Sequence, residues 1–418
     1  MIKSIKDFFR FVDSLSKHKI QPGLERIKIV LGKLGNPQLK YKSVHIAGTN
    51  GKGSTALFIA GLLKRSCYKT GLFVSPEILK YNDRISINGK NISDKELVFT
   101  ARKIISILSE TGTYLTEFEF CSVLMFQFFA DQKISIAVLE TGLGGRLDAT
   151  NVTKPLVSIV TSISKDHSEY LGNNIKSIAA EKLDILKNSE YRIIGNLNYY
   201  KKQIAVKFLK TNNLINKKLF IYGNHYGTKE ISGIPYFKND VLKIPVKELN
   251  DLPEYQKFNF AAAVQTLFLL EGQNKIQKID FGKFIEKIRL PFRMQKISEL
   301  PQIIIDASHN PEAIGHFIKA VKANYSAASK IIVIYSGFRD KDYKTIIKLL
   351  SCNFQKIFIY NMRHPRGADL SGFGNQKKIF FFDSLKQIIN FIGSNPDFQY
   401  FVTGSYQTAR DFFSNISG

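Results

Sequence analysis

Three short stretches carry residues suited to gripping a nucleotide and stabilising anions. Residues 43–55 read SVHIAGTNGKGST, a β-branched run that breaks into a glycine-rich loop and opens a helical pattern. Backbone N–H groups at a helix N-terminus attract phosphate, and Gly48, Gly51 and Gly53 let the chain curl without Cβ clashes. Lys52 offers an ammonium to the outer phosphates, and Ser54 or Thr55 a hydroxyl to Mg²⁺. The spacing departs from the common phosphate loop, because Gly53 separates Lys52 from the hydroxyl, and such a turn also serves in ordinary strand–helix connections.

The second stretch is the apolar run ending at Glu140, followed by TGLGGRLDATN to Asn151. Ligands of open α/β sheets gather at strand C-termini, so the Glu140 carboxylate is expected beside the first loop, where it suits Mg²⁺. A capping or salt-bridging glutamate is the plainer alternative. The third is Asp166-His167 after the apolar run 156–161. One histidine in a loop is usually structural, but Lys52, Glu140 and His167 end three strands of one sheet. Lys182, after two alanines, is by itself one more solvated lysine in a basic chain.

These residues need a scaffold that brings strand ends together. Strand patterns at 43–47, 69–74, 135–140 and 156–161 alternate with helical ones at 55–65, 94–110, 117–131 and 175–187, which implies a mainly parallel sheet covered on both faces. Residues 200–250 are rich in Lys, Asn and Gly and read as a small appended sheet or irregular excursion. Helices near 259–271 and 281–288 follow, and after Pro291 the alternation restarts. The expected fold is therefore α/β: a mainly parallel, P-loop-type ATPase domain over 1–295 and a smaller Rossmann-like domain over 296–418. A first helix within residues 1–20 is amphipathic, without the apolar core of a signal segment.

The 418 residues exceed one ordinary core, and 44% hydrophobic with 23% charged residues marks a globular chain. No run is long and apolar enough to span a bilayer. Three dispersed cysteines suggest neither a disulfide framework nor a metal site, so a reducing cytoplasm and no membrane association are expected. The net charge of +25 is spread along the chain without a basic arm or block, which argues for a solvated basic surface and against nucleic acid.

The motifs together resemble the folylpolyglutamate synthase/dihydrofolate synthase family of the Mur ligase group. The matching residues are GTNGKGS at 48–54, Ser75-Pro76, Thr116-Glu117-Phe118-Glu119, Glu140 with 142–151, Asp166-His167, Leu171-Gly172 and Glu181-Lys182. Further along they are Arg293 with Gln295, Asp306 with His309-Asn310-Pro311, Asp340-Lys341-Asp342 and Gly404-Ser405. The resemblance spans nearly the whole chain. It implies an ATP-dependent ligase that activates a pteroate or folate carboxylate as an acyl phosphate and passes it to the amine of L-glutamate.

By the same resemblance, Thr49, Asn50, Gly51, Lys52, Gly53 and Ser54 cradle phosphates, and Asn259, Arg293 and Asp306 meet the nucleotide. Ser75, Glu140, His167 and Ser54 correspond to metal ligands, with Lys182, as a carbamylated lysine (N6-carboxylysine), among them; K⁺ is a further cation to expect. Thr116, Glu117, Phe118, Glu119 and Arg146 fall on the pterin side, Phe118 as a stacking ring or simply as core. Asp306, His309 and Ser405 correspond to glutamate-binding positions, and Lys52, Lys182, His309 and Asp306 form the expected catalytic set. The substrates implied are ATP, L-glutamate and dihydropteroate or folates, handled by a monomer. Phe292 and Ala307 stand where the family has glycine, Leu183-Asp184 replaces Ala-Gly after the lysine, and Tyr255-Gln256 replaces His-Gln. Two rivals predict otherwise. A peptidoglycan-type ligase is expected to carry a further domain of roughly a hundred residues before the glycine loop, where 47 residues precede Gly48. A nucleic-acid-binding P-loop ATPase requires clustered basic charge.

Overall fold

The structure, a computed structural model, describes residues 2–15, 21–166, 171–172, 174–325, 330–374 and 376–416. The chain divides into two compact units, Met1–Ile288 and Arg289–Gly418. The sequence reading places the boundary at 295/296. The unit boundary precedes it because residues 292–295 are tied into the second sheet: Phe292 N–H donates to Gln295 Oε1 (2.9 Å) and Ala307 N–H to the Phe292 carbonyl (2.8 Å).

The first unit is built on β1 (Lys42–Ala47), β2 (Thr70–Phe73), β3 (Ile85–Ile87), β4 (Lys90–Asn91), β5 (Ile136–Glu140), β6 (Val157–Val160), β7 (Tyr191–Ile194) and β8 (Leu219–Ile221). They form an eight-stranded sheet in the order β4-β3-β2-β5-β1-β6-β7-β8, parallel except for the β3 and β4 edge. Every residue of β2, β5 and β6 is buried, as parallel strands covered on both faces require. On one side α1 (Ile5–Leu15), α2 (Glu25–Lys33), α4 (Asp94–Thr111) and α5 (Glu117–Asp131) close a core that includes Phe8, Leu97, Phe120 and Phe126. Elsewhere in the unit, α3 (Lys52–Arg65) packs on the helix Glu254–Glu271, with Phe58 edge-on to Phe260 at 5.6 Å.

Two elements depart from the sequence expectation. The Lys-rich segment after 198 begins with a helix, Tyr199–Thr211, capped by Asn198 Oδ1 on Lys201 N–H (3.0 Å) and burying Ala205 and Leu209. Its apolar stripe is narrow, so cap chemistry was the stronger signal. The appended sheet follows it as the antiparallel β9 (Tyr226–Ile231), β10 (Ile234–Asn239) and β11 (Lys243–Pro245). The helix Ile175–Leu183 stops at its C-cap Asp184 and continues as a 3₁₀ turn to Asn188.

The second unit orders β12 (Gln295–Glu299), β13 (Gln302–Asp306), β14 (Ile331–Tyr335), β15 (Lys356–Tyr360), β16 (Ile379–Phe382) and β17 (Gln399–Thr403) as β12-β13-β17-β14-β15-β16. All pair in parallel except β12, an antiparallel edge with a register shift between Lys296 and Ser298.

Phe292 has φ +54°. That left-handed conformation costs a non-glycine residue about 1–2 kcal/mol. Burial offsets it: the ring is 2% exposed and packs on Tyr406 (6.3 Å) and Phe413 (5.9 Å). Removing a buried phenyl ring costs about 3–5 kcal/mol, more than the strain relieved. Phe292→Gly is therefore expected to destabilise the protein by about 2 kcal/mol, read as a lower urea midpoint; a raised midpoint would show that strain outweighs packing.

Candidate active site

The loop between β1 and α3 is fastened to the segment that leaves β6. Thr49 N–H donates to the Ser162 carbonyl (3.0 Å), Thr49 Oγ1 to the Ser164 carbonyl (3.0 Å), and Asn50 N–H to Ser162 Oγ (2.8 Å). Thr161 Oγ1 donates to the Asn50 carbonyl (2.7 Å). A Cβ on Gly48 would lie 2.0 Å from Thr161 Oγ1, so only glycine permits this approach. Gly51 caps α3 at φ +86°, and a Cβ there would meet Asn259 Oδ1 at 2.4 Å. The helix begins at Lys52, three residues before the expected Thr55, and so places Lys52, Gly53 and Ser54 in its first turn.

Around that turn the charged residues converge. Lys52 Nζ donates to the Gly48 carbonyl (3.1 Å) and lies 4.0 Å from Glu140 Oε1. Glu140 is buried, accepts from Ser75 N–H through Oε2 (3.1 Å), and comes so close to Gly53 that a Cβ there would stand 3.2 Å from Oε2. Lys182 is no solvated lysine. It is 4% exposed, and its Nζ donates to the same Gly48 carbonyl at 3.1 Å. Burial, then the nearby Lys52 ammonium, pushes its pKa down to about 7, against the pull of Asp166, Asp148 and Glu181. His167 lies outside the described residues.

Other expected contacts have protein partners. Thr116 caps α5 in a capping box with Glu119, and Glu119 also pairs with Arg26 at 2.9 Å. Glu117 pairs with Arg84 (2.8 Å), which also meets Glu77 (2.6 Å) and lies over the Tyr81 ring. Phe118 is half-buried 5.9 Å from Phe73, its ring tip resting where a Cβ of Gly142 would be 2.4 Å away. Arg146 pairs with Glu181 at 2.8 Å.

In the second unit, Asp306 ends β13 fully buried. Its Oδ1 accepts from Ser308 N–H (3.0 Å) and Oγ, its Oδ2 from Met294 N–H (3.0 Å). His309 Nδ1 meets the Ala307 carbonyl (3.1 Å), and Ser405 Oγ accepts from Thr408 N–H (2.9 Å) at the start of the helix Tyr406–Ile416. The Arg293 guanidinium lies over the Tyr406 ring and donates to its hydroxyl (3.0 Å).

Comparison with known proteins accords with this arrangement. Residues 46–232 match the Mur ligase middle domain family. The chain is 30% identical to the dihydrofolate synthase/folylpolyglutamate synthase of Bacillus subtilis, covering 88% of this chain and 87% of that protein. It is also 30% identical to the folylpolyglutamate synthase of Lacticaseibacillus casei, over 94% of each. The chain belongs to the dihydrofolate synthase/folylpolyglutamate synthase family. The Escherichia coli FolC structure in complex with DHPP and ADP superposes with a TM-score of 0.88 at 25% identity, covering 99% of this chain and 98% of that one. The apo form of the L. casei enzyme gives 0.83 at 27%, with all of both chains covered. Family members are ATP-dependent ligases, and among the described residues no helix is long and apolar enough to cross a membrane.

Sequence reasoning passed over Gln256, taken only as part of a departure. It is buried, donates through Nε2 to Ser54 Oγ (3.1 Å) and accepts from Asn259 Nδ2 (3.0 Å), tying Asn259 to the phosphate loop. It also passed over Arg84 and over His45, a fully buried polar residue in β1. Gly142→Ala offers a check on the site's packing. The added methyl must displace the Phe118 ring, and overpacking of this kind costs about 1–3 kcal/mol. A matching fall in the urea midpoint is expected, and an unchanged midpoint would mean the ring has room to yield.

Proposed function

We propose that this chain joins L-glutamate to dihydropteroate and to tetrahydrofolate, using ATP to activate the acceptor's carboxylate. The observation that carries the reading is the convergence of Lys52, Glu140 and the buried Lys182 on the turn that opens α3. The names of the relatives supply the substrate class.

The chemistry follows from what a carboxylate lacks. It is a poor electrophile until one oxygen becomes a leaving group, so its oxygen attacks the γ-phosphorus of ATP and ADP departs. The glutamate amine then attacks the acyl carbon, and the tetrahedral intermediate collapses to amide and phosphate. The protein's task is to position the reactants and balance charge. Thr49 to Ser54 hold the phosphates, and the Lys52 ammonium neutralises charge as it moves toward the leaving ADP. Asn259, held by Gln256, contacts the nucleotide, and Arg293 and Asp306 are assigned to it from the second unit. His309, Asp306 and Ser405 are assigned to glutamate, and Phe118, Thr116, Glu117, Glu119 and Arg146 to the acceptor side.

Among the described residues no three His, Cys, Asp or Glu side chains group as a protein-only metal site. Mg²⁺ asks for less, because it is usually held by one or two carboxylates, waters and the substrate's phosphates. A buried carboxylate at Glu140 with the hydroxyls of Ser54 and Ser75 is a fitting set of hard oxygen donors, joined in the proposal by His167. When bound, Mg²⁺ would neutralise charge on the phosphates. A lysine beside such a site carries the wrong charge, and carbamylation of Lys182 by CO₂ replaces it with an anion. A pKa held near 7 keeps the neutral amine that this reaction needs. K⁺ as an accompanying cation, a cytoplasmic setting and action as a monomer belong to the same proposal.

Phosphate release with MgATP and L-glutamate is expected on addition of dihydropteroate and, separately, of tetrahydrofolate; release with neither overturns the reading. Lys52→Ala is expected to lower kcat by at least about a hundredfold while circular dichroism stays unchanged. Lys182→Ala and Lys182→Arg are expected to be comparably inactive, with a short carboxylate added in solution partly rescuing the alanine variant. A fully active Lys182→Arg enzyme would remove the carbamate while leaving the ligase assignment in place.

A further inference from the structure

His45 has no part in the chemistry above, yet it is a fully buried imidazole in β1, three residues before Gly48. Its Nε2 lies 2.8 Å from Thr150 Oγ1. Thr150 has a single hydroxyl hydrogen, and that hydrogen goes to Asp148 Oδ1 at 2.5 Å. The threonine oxygen is therefore an acceptor toward the ring, which fixes His45 as the neutral tautomer with its proton on Nε2. Burial alone pushes the imidazole pKa down to about 3, in accord with a neutral ring. Nδ1 is then left as an acceptor. It has no partner among the described residues, and neither does the buried hydroxyl of Ser158, registered against His45 on β6.

The far end of this relay closes a loop. Asp148 accepts from Thr150 N–H (3.0 Å) through Oδ1 and from Leu143 N–H (2.8 Å) through Oδ2, so one carboxylate clamps both ends of the segment 143–150. Burial raises the Asp148 pKa and the hydrogen bonds from Thr150, Leu143 and Gly142 oppose that rise. The clamped loop touches two functional elements. Gly142 backs the Phe118 ring, and a Cβ on Gly145 would stand 2.8 Å from the Glu181 carbonyl and 3.3 Å from that of Lys182. Arg146 N–H donates to the same Glu181 carbonyl (2.9 Å).

We propose that His45 is a positioning residue for the acceptor side of the site, acting through Thr150 and Asp148 to hold the loop 142–151 against Phe118 and against the helix that carries Lys182. The strand that leads into the phosphate loop thereby also sets the surface on which the pteroyl group is presented. This rests on the reading that Phe118 and its loop face that acceptor.

Thr150→Val is the discriminating substitution, because it removes the hydroxyl at nearly constant volume and leaves β1 untouched. It orphans the buried His45 N–H and takes one donor from Asp148, a loss that corresponds to roughly tenfold in an equilibrium constant. The expected result is a KM for dihydropteroate or tetrahydrofolate raised about tenfold with the KM for MgATP unchanged. Thr150→Ser, which keeps the hydroxyl, is expected to restore the acceptor KM. An unchanged acceptor KM in Thr150→Val, equal rises for acceptor and MgATP, or no rescue by serine would each overturn the proposal.

A second measurement does not depend on turnover. In ¹⁵N-histidine NMR of the full chain at neutral pH, assigned by loss of the signal in His45→Gln, His45 is expected as the Nε2–H tautomer. An Nδ1–H tautomer or an imidazolium overturns the relay. Should the wild-type chain turn over neither acceptor, the functional reading fails, and the tautomer still decides the relay.

Discussion

Two lysine Nζ groups donate to one carbonyl oxygen, that of Gly48, each at 3.1 Å. When both are protonated their charges repel each other, and a single carbonyl dipole cannot balance them. The arrangement is stable only with anions nearby. Glu140, 4.0 Å from Lys52, supplies one, and Asp166, Asp148 and Glu181 act on Lys182. Much of the first unit serves this constraint. Gly48 and Gly51 are glycines because Thr161 and Asn259 leave no space for a Cβ, and the loop is fastened at Thr49 and Asn50 so that the carbonyl cannot turn away. The depressed pKa of Lys182 is the same repulsion and desolvation seen from the amine.

Topology explains how residues about 130 positions apart in sequence reach one carbonyl. β1 lies between β5 and β6, so the loop after β1 is flanked by the loops after both neighbours. Parallel strands place their C-terminal ends on one edge, and the helices between them return the chain to the opposite edge. Glu140 needs only to end β5, and the segment 161–164 only to follow β6, for both to meet the phosphate loop. Lys182 arrives differently, from a helix whose small Ala179 and Ala180 precede it, with Gly145 close against its backbone.

Much of this was legible before any coordinates. Short apolar runs ending at Gly, Glu or Ser located β1, β2, β5 and β6 to within a residue or two, because parallel strands buried on both faces have little compositional freedom. The positions of Glu140, at the end of β5, and Lys52, where the glycine loop opens α3, were legible from the same strand-and-loop pattern. Lys182 was ambiguous, since burial is a tertiary property that one lysine among 60 basic residues cannot announce. The helix Tyr199–Thr211 was missed because it buries only Ala205 and Leu209, and Phe292 was hard to read as left-handed because its residue type argues against that backbone. Gln256 and His45 escaped because each acts on another side chain, and a contact between distant segments leaves no local pattern.

The two units also share a local device that bears on how their aspartates act. Asp148-Ala-Thr150 and Asp306-Ala-Ser308 are the same turn: Oδ1 accepts both the N–H and the hydroxyl of the residue two positions on, while Oδ2 accepts a more distant backbone N–H, from Leu143 in one case and Met294 in the other. A carboxylate has about four lone-pair directions, so in each aspartate most of them are committed to the protein's own loop. Asp306 is therefore suited to setting where its turn places His309 and the backbone of Ala307. It is poorly suited to swinging between partners during turnover. Ala307 fits the same logic: the Asx-type turn leaves it buried with its N–H on the Phe292 carbonyl, so the tie between Asp306 and the strained Phe292 turn passes directly through it.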